Sequence, residues 1–174
     1  DQGFDTYVDS DVVWKGMPAE PDQKTLEYLV TPLPSAPEMY GSCLEWARGR
    51  VGRPAYIQVN PMEVHEHDRQ LRPEFMELYA QEPSGGYLSA IRQVSKDTGE
   101  FLRVLRALPG WEDTLVIVTS DHGEALDGDH PSIKGMRHGD VLYEAQLAVP
   151  LILHRPGALE PMRIDARVRL LDLL

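Results

Sequence analysis

At 174 residues, with 42% hydrophobic and 26% charged side chains, the chain has enough apolar material for one globular core. Its 28 acidic and 17 basic residues give a formal net charge of −11, which argues against nucleic acid and anionic membrane surfaces as partners. A single cysteine excludes an internal disulfide framework, and no apolar run approaches the ~20 residues of a membrane-spanning helix. The compartment stays open.

In chain order, Pro18, Pro21, Pro32, Pro34 and Pro37 break the opening region into turns, with at most one short helix around Gln23–Val30. Cys43 stands in Gly41-Ser42-Cys43-Leu44-Glu45-Trp46 with no cation beside it to favour a thiolate, and reads as a structural thiol. Ala55–Val59 is expected to form a short strand ended by Pro61. Pro73–Gln81 has the pattern of an amphipathic helix with Pro73 in its first turn. Tyr87, Ile91, Val94, Phe101, Leu102, Leu105 and Leu108 recur at three- and four-residue steps. They predict a long helix closed by Pro109-Gly110 and packed by one face on a sheet.

Thr114–Thr119 is an apolar, β-branched run of strand length. Leu151–His154 predicts a further strand, in which His154 is a buried packing residue, and Ile164–Leu170 predicts another leading into a helix. Strands alternating with helices point to a layered α/β/α fold with a largely parallel sheet. Three or four strands are few for such a sheet.

The chemistry concentrates where the Thr114–Thr119 strand ends, in Ser120-Asp121-His122-Gly123-Glu124. Open α/β sheets bind ligands beyond the carboxyl ends of their strands. A carboxylate beside a neutral imidazole suits a divalent cation. Gly123 is expected to let the backbone turn away while both side chains stay near the ion.

The residues downstream strengthen this reading. Thr119–Glu124 is succeeded by His138-Gly139 with Leu142-Tyr143-Glu144, then Val149-Pro150-Leu151-Ile152, then Pro156-Gly157. In this order and spacing the chain resembles the sulfatase family of the alkaline-phosphatase superfamily. Upstream, Gly3-Phe4-Asp5 with Tyr7 is similar to a segment preceding this half in many members. The Arg53–His65 stretch is similar to the family strand that delivers a histidine to the site. The resemblance spans nearly the whole chain, but Asp9–Gly52 adds almost nothing to it.

The resemblance implies an alkaline-phosphatase-like fold, of which residues 1–174 form the C-terminal part of a single catalytic domain. The N-terminal half is expected to lie elsewhere, and with it the formylglycine nucleophile made from Cys or Ser in a CxPxR motif. Cys43 has no Pro or Arg at the required offsets. The implied reaction is displacement at a sulfuryl or phosphoryl centre, with Asp121 and His122 as the late pair of metal ligands. The cation is expected to be Ca²⁺, with Mg²⁺, Mn²⁺ and Zn²⁺ as alternatives.

His65 matches the position that contacts the ester and helps the leaving group, and a pKa near neutrality suits proton donation. The competing reading is a surface histidine in an acidic run, with Glu63, Glu66 and Asp68 around it and His67 as backup. His138 is expected to contact the sulfate or the leaving oxygen, with Lys134 as the alternative substrate-binding residue. His130 is second-sphere or merely exposed, Glu124 a candidate support for the metal pair, and Tyr143 and Glu144 anchors of the loop.

The substrate is then a small-molecule or glycan sulfate ester, alternatively a phosphate ester. A phosphodiesterase, phosphonate monoester hydrolase or phosphoethanolamine transferase on the same scaffold is the second reading. A non-catalytic metal-binding or interaction fragment is the third.

Overall fold

The structure is a computed structural model that describes residues 33–65, 67, 70–126, 138–139 and 142–173. The expected helix at Gln23–Val30, the Gly3-Phe4-Asp5 segment, His130 and Lys134 lie outside the described residues. The chain divides into two compact units, residues 1–81 with 85–105, and residues 82–84 with 106–174.

The first unit is helical among its described residues. Helix α1, Ala36–Arg48, opens on a reciprocal cap. The Glu38 carboxylate accepts from the Ser35 backbone N–H (2.8 Å) and from its hydroxyl (2.7 Å), as an S-x-x-E pattern dictates. Pro37 therefore does not break the chain here. It sits in the first turn, where its missing N–H costs nothing. Ala36, Tyr40, Cys43 and Leu44 make one buried stripe.

Helix α2 is the single turn Pro73–Met76, shorter than the pattern through Gln81 suggests. Helix α3, Gly85–Leu105, is the long helix that the periodicity predicts, and it stops ahead of Pro109-Gly110. Its partners in this unit are α1 and α2 rather than a sheet. Tyr40 stacks on Phe101 at 4.5 Å between ring centroids and shares a 2.7 Å hydrogen bond with Thr98. Phe75 of α2 is buried, with the Arg72 guanidinium over its ring. Periodicity identifies an apolar face; it does not identify what covers that face.

Ala55–Val59 forms no strand. Its apolar residues Tyr56 and Ile57 are 69% and 41% exposed, and no strand among the described residues pairs with it. Strand-like composition becomes a strand only when a neighbour takes the backbone hydrogen bonds.

In the second unit, a 3-10 turn at Trp111–Asp113 leads into strand β1, Val116–Thr119. A one-turn helix α4, Glu144–Leu147, precedes strand β2, Leu151–His154. The two strands pair antiparallel, with Val116 opposite His154 and Thr119 opposite Leu151. The cause is visible at the end of β1. The Gly123 N–H donates to the Gln146 carbonyl at 2.8 Å, so α4 docks there. The chain leaves α4 beside Thr119 and runs back along β1, pairing Leu151 with Thr119.

His154 is exposed rather than buried, with its ring 5.7 Å from that of Trp111. Ile164–Leu170 is not a strand; a 3-10 turn, Leu170–Leu173, succeeds it.

Candidate active site

The site grows from the end of β1. The Ser120 hydroxyl donates to the His122 carbonyl at 2.7 Å, and Asp121 Oδ1 accepts the His122 backbone N–H at 3.0 Å. These local bonds fold the chain into a tight turn that turns both side chains outward, Asp121 80% and His122 43% exposed. His122 Nδ1 lies 2.8 Å from the Gly123 carbonyl oxygen. A carbonyl only accepts, so Nδ1 is the donor here, which leaves Nε2 as the nitrogen a cation could use. That nitrogen stands 3.8 Å from Asp121 Oδ2.

A third residue from across the chain joins this pair. The His138 ring stacks on His122 with 4.4 Å between centroids and 29° between planes. Its Nδ1 is 2.8 Å from Glu124 Oε2. Glu124 is 16% exposed, and its Oε1 is buried with no hydrogen-bond partner among the described residues. Asp121, His122, Glu124 and His138 thus make one cluster at the carboxyl end of β1.

The turn is held from below. Gly123 does not have a left-handed φ, so conformational freedom is not why glycine stands there. The requirement is space. A Cβ would overlap the Ala145 carbonyl oxygen and lie 3.2 Å from the Ala148 carbonyl oxygen. Only glycine lets the Asp121-His122 turn lie directly on the backbone of α4.

The donor set fits a hard or borderline divalent cation as far as it goes. A carboxylate oxygen and an imidazole nitrogen sit side by side, and neither atom takes part in a backbone hydrogen bond with another described residue. Two donors are a partial shell. Among the described residues, no group of three or more His, Cys, Asp or Glu is placed to hold an ion.

His65 belongs to the first unit and is exposed there, two residues after the buried Glu63. His67 is half-buried, with its ring edge-on to Tyr87 at 6.2 Å. Cys43 is buried on α1, and burial pushes its thiol above the ordinary range. It is a core residue, not a nucleophile.

A family model for sulfatases matches residues 1–174. The chain belongs to the sulfatase family. Mouse arylsulfatase K (Mus musculus) is 26% identical over 155 residues, 82% of this chain and 27% of that protein. The cattle protein of the same name (Bos taurus) is 27% identical over 117 residues, 67% of this chain and 21% of its own length. The dog protein (Canis lupus familiaris) is 32% identical over 87 residues, 50% of this chain and 15% of that protein. This sulfatase-family chain therefore spans about a quarter or less of the curated relatives it matches. No solved structure matches it. Membership implies an alkaline-phosphatase-like α/β fold, and the helices and two-stranded sheet of this chain are elements of that class.

Proposed function

We propose that this chain supplies part of the active site of a metal-dependent sulfuric ester hydrolase. The observation that carries the reading is the convergence of Asp121, His122 and His138 at the end of β1, although His138 lies well downstream in the chain. Asp121 and His122 are the residues that would hold the cation. Once bound, it supplies Lewis-acid polarisation of the ester oxygens. Ca²⁺ is the ion favoured by a carboxylate-led shell. The imidazole keeps Mg²⁺, Mn²⁺ and Zn²⁺ as outcomes of a metal analysis.

His138 contacts the sulfate, and the Glu124 carboxylate on its Nδ1 fixes the ring's tautomer and presents Nε2 toward the ester. His65 protonates the departing alcohol as the ester bond breaks. The nucleophile, a formylglycine, comes from sequence outside this chain. The whole domain is a layered α/β/α structure with a largely parallel sheet, and the β1–β2 pair is its antiparallel part; mixed sheets of this kind are common.

The test uses the full-length protein with an aryl sulfate and an aryl phosphodiester at matched leaving groups. The expected result is preferential sulfate hydrolysis, lost on chelation and restored by one divalent cation. Asp121→Ala and His122→Ala should lose both the cation and the turnover. Preference for the phosphodiester, or full activity of both variants, would overturn the reading.

A further inference from the structure

The run around His65 looks like a solvated acidic loop, yet one of its acids is among the most buried side chains of the first unit. Glu63 is 1% exposed, and its Oε1 accepts the backbone N–H of Ala36 at the start of α1. Its Oε2 is buried and has no hydrogen-bond partner among the described residues. A buried carboxylate with an unmatched oxygen is a costly way to hold two segments together, and an apolar side chain of similar size would do so more cheaply. What the carboxylate adds is direction, because one oxygen on one N–H fixes the main chain of the adjoining helical turn.

Downstream, the same stretch is fixed a second time. Gln93 of α3, 2% exposed, donates to the Gln70 carbonyl at 3.0 Å and accepts the Arg72 N–H at 2.8 Å. The Arg72 guanidinium makes a two-pronged pair with Asp97 at 3.0 and 2.8 Å. This hydrogen-bonded pair holds the guanidinium pKa above its ordinary value. An exposed histidine thus sits between two buried polar anchors, and the nearer is only two residues away.

We infer that Glu63 is the positioning residue for His65: its clamp on the first turn of α1 sets where the imidazole stands. The inference rests on the reading of His65 as the proton donor to the leaving alcohol. In that step an oxygen of the formylglycine nucleophile, supplied from outside this chain, bonds to sulfur, the bond from sulfur to the alcohol oxygen breaks, and the N–H proton of the imidazolium passes to the departing oxygen. A displaced donor matters most when the leaving oxygen is basic, and least when it departs as a stable anion.

The experiment compares kcat on phenyl sulfate with kcat on 4-nitrophenyl sulfate in the full-length enzyme, for His65→Ala, Glu63→Leu, Glu63→Asp and Glu63→Gln. Glu63→Leu removes the clamp and Glu63→Asp pulls it back by one methylene. Each should lower kcat on phenyl sulfate by about 10- to 100-fold, with several-fold less loss on the nitrophenyl ester and KM little changed. Glu63→Gln keeps an oxygen for Ala36 and should stay within about threefold of wild type.

A merely structural role would lower both substrates equally, because it only reduces the folded fraction. Glu63→Asp reads the same ratio should Glu63→Leu fail to fold. Equal losses in the Glu63 variants, beside a leaving-group-dependent loss in His65→Ala, would remove this inference alone. Equal losses in His65→Ala would remove it together with the role of His65.

Discussion

Replacing Gly123 by alanine tests whether the Asp121-His122 turn is held by close backbone approach. The added methyl would overlap the Ala145 carbonyl oxygen and stand 3.2 Å from both the Ala145 carbonyl carbon and the Ala148 carbonyl oxygen. All three obstacles are backbone, so no side chain can swing aside. The turn and α4 must part, which stretches the 2.8 Å bond from Gly123 N–H to the Gln146 carbonyl. Overpacking of this kind costs about 1–3 kcal/mol, and losing the hydrogen bond adds roughly 1 kcal/mol. A shift on the order of 1 Å at catalytic groups costs about 10²-fold in rate.

Gly41→Ala is the control. It lies on α1 with nothing within 4 Å of a new Cβ and should stabilise by about 0.5–1 kcal/mol. Both variants are compared in the full-length protein by Tm, bound divalent cation and kcat on an aryl sulfate. Gly123→Ala should lose on all three while Gly41→Ala keeps cation and kcat. An unchanged Tm and kcat in Gly123→Ala would refute the argument that α4 supports the site.

Three further outcomes are expected from the same geometry. The 174-residue chain by itself should show no aryl sulfatase turnover with added Ca²⁺ or Mg²⁺, because the proposed reading gives it only Asp121 and His122 as cation donors among the described residues and puts the formylglycine outside it. Turnover that survives repurification and disappears in His65→Ala would contradict this. Glu124→Gln in the full-length enzyme should lower kcat by on the order of tenfold or more without loss of cation, since it weakens the hold on His138 while sparing Asp121 and His122. Equal loss of cation would instead make Glu124 a ligand. Burial raises the Cys43 thiol pKa, so the native state keeps its proton longer than the unfolded chain does. The stability linked to it is fully present below about pH 8.5 and is lost as pH rises through the folded value. Cys43→Ala should flatten the alkaline fall in Tm, and the native thiol should react slowly with iodoacetamide.

The motif at the end of β1 is legible in the sequence because its parts are local: an apolar run, a turn, and a carboxylate beside an imidazole. β2 appears over the expected residues for the same reason. Its antiparallel direction is not legible, since that depends on α4 docking at Gly123, a contact between backbones far apart in sequence. Helix α1 escapes a reading that treats Pro37 as a breaker, although Ser35 and Glu38 announce its start and Tyr40, Cys43 and Leu44 its buried stripe. The cap ahead of Pro37 is the signal that turns a breaker into a first-turn residue. Glu63 cannot be distinguished from Glu66 and Asp68 by composition. Its burial depends on where α1 begins, and nothing in its own neighbourhood records that. His154 defeats the expectation of burial because an apolar strand reads as covered on both faces, whereas β2 leaves most of its residues exposed.

Glu124 and His138 are 14 positions apart along the chain and 2.8 Å apart in space. Their contact closes a ring of polypeptide whose neck is tied by a carboxylate and an imidazole. The entropy of closing such a ring rises only with the logarithm of its length, so doubling the intervening segment costs about 0.6 kcal/mol. By that relation the closure depends less on the number of residues it spans than on the two groups, Glu124 and His138, that tie its neck.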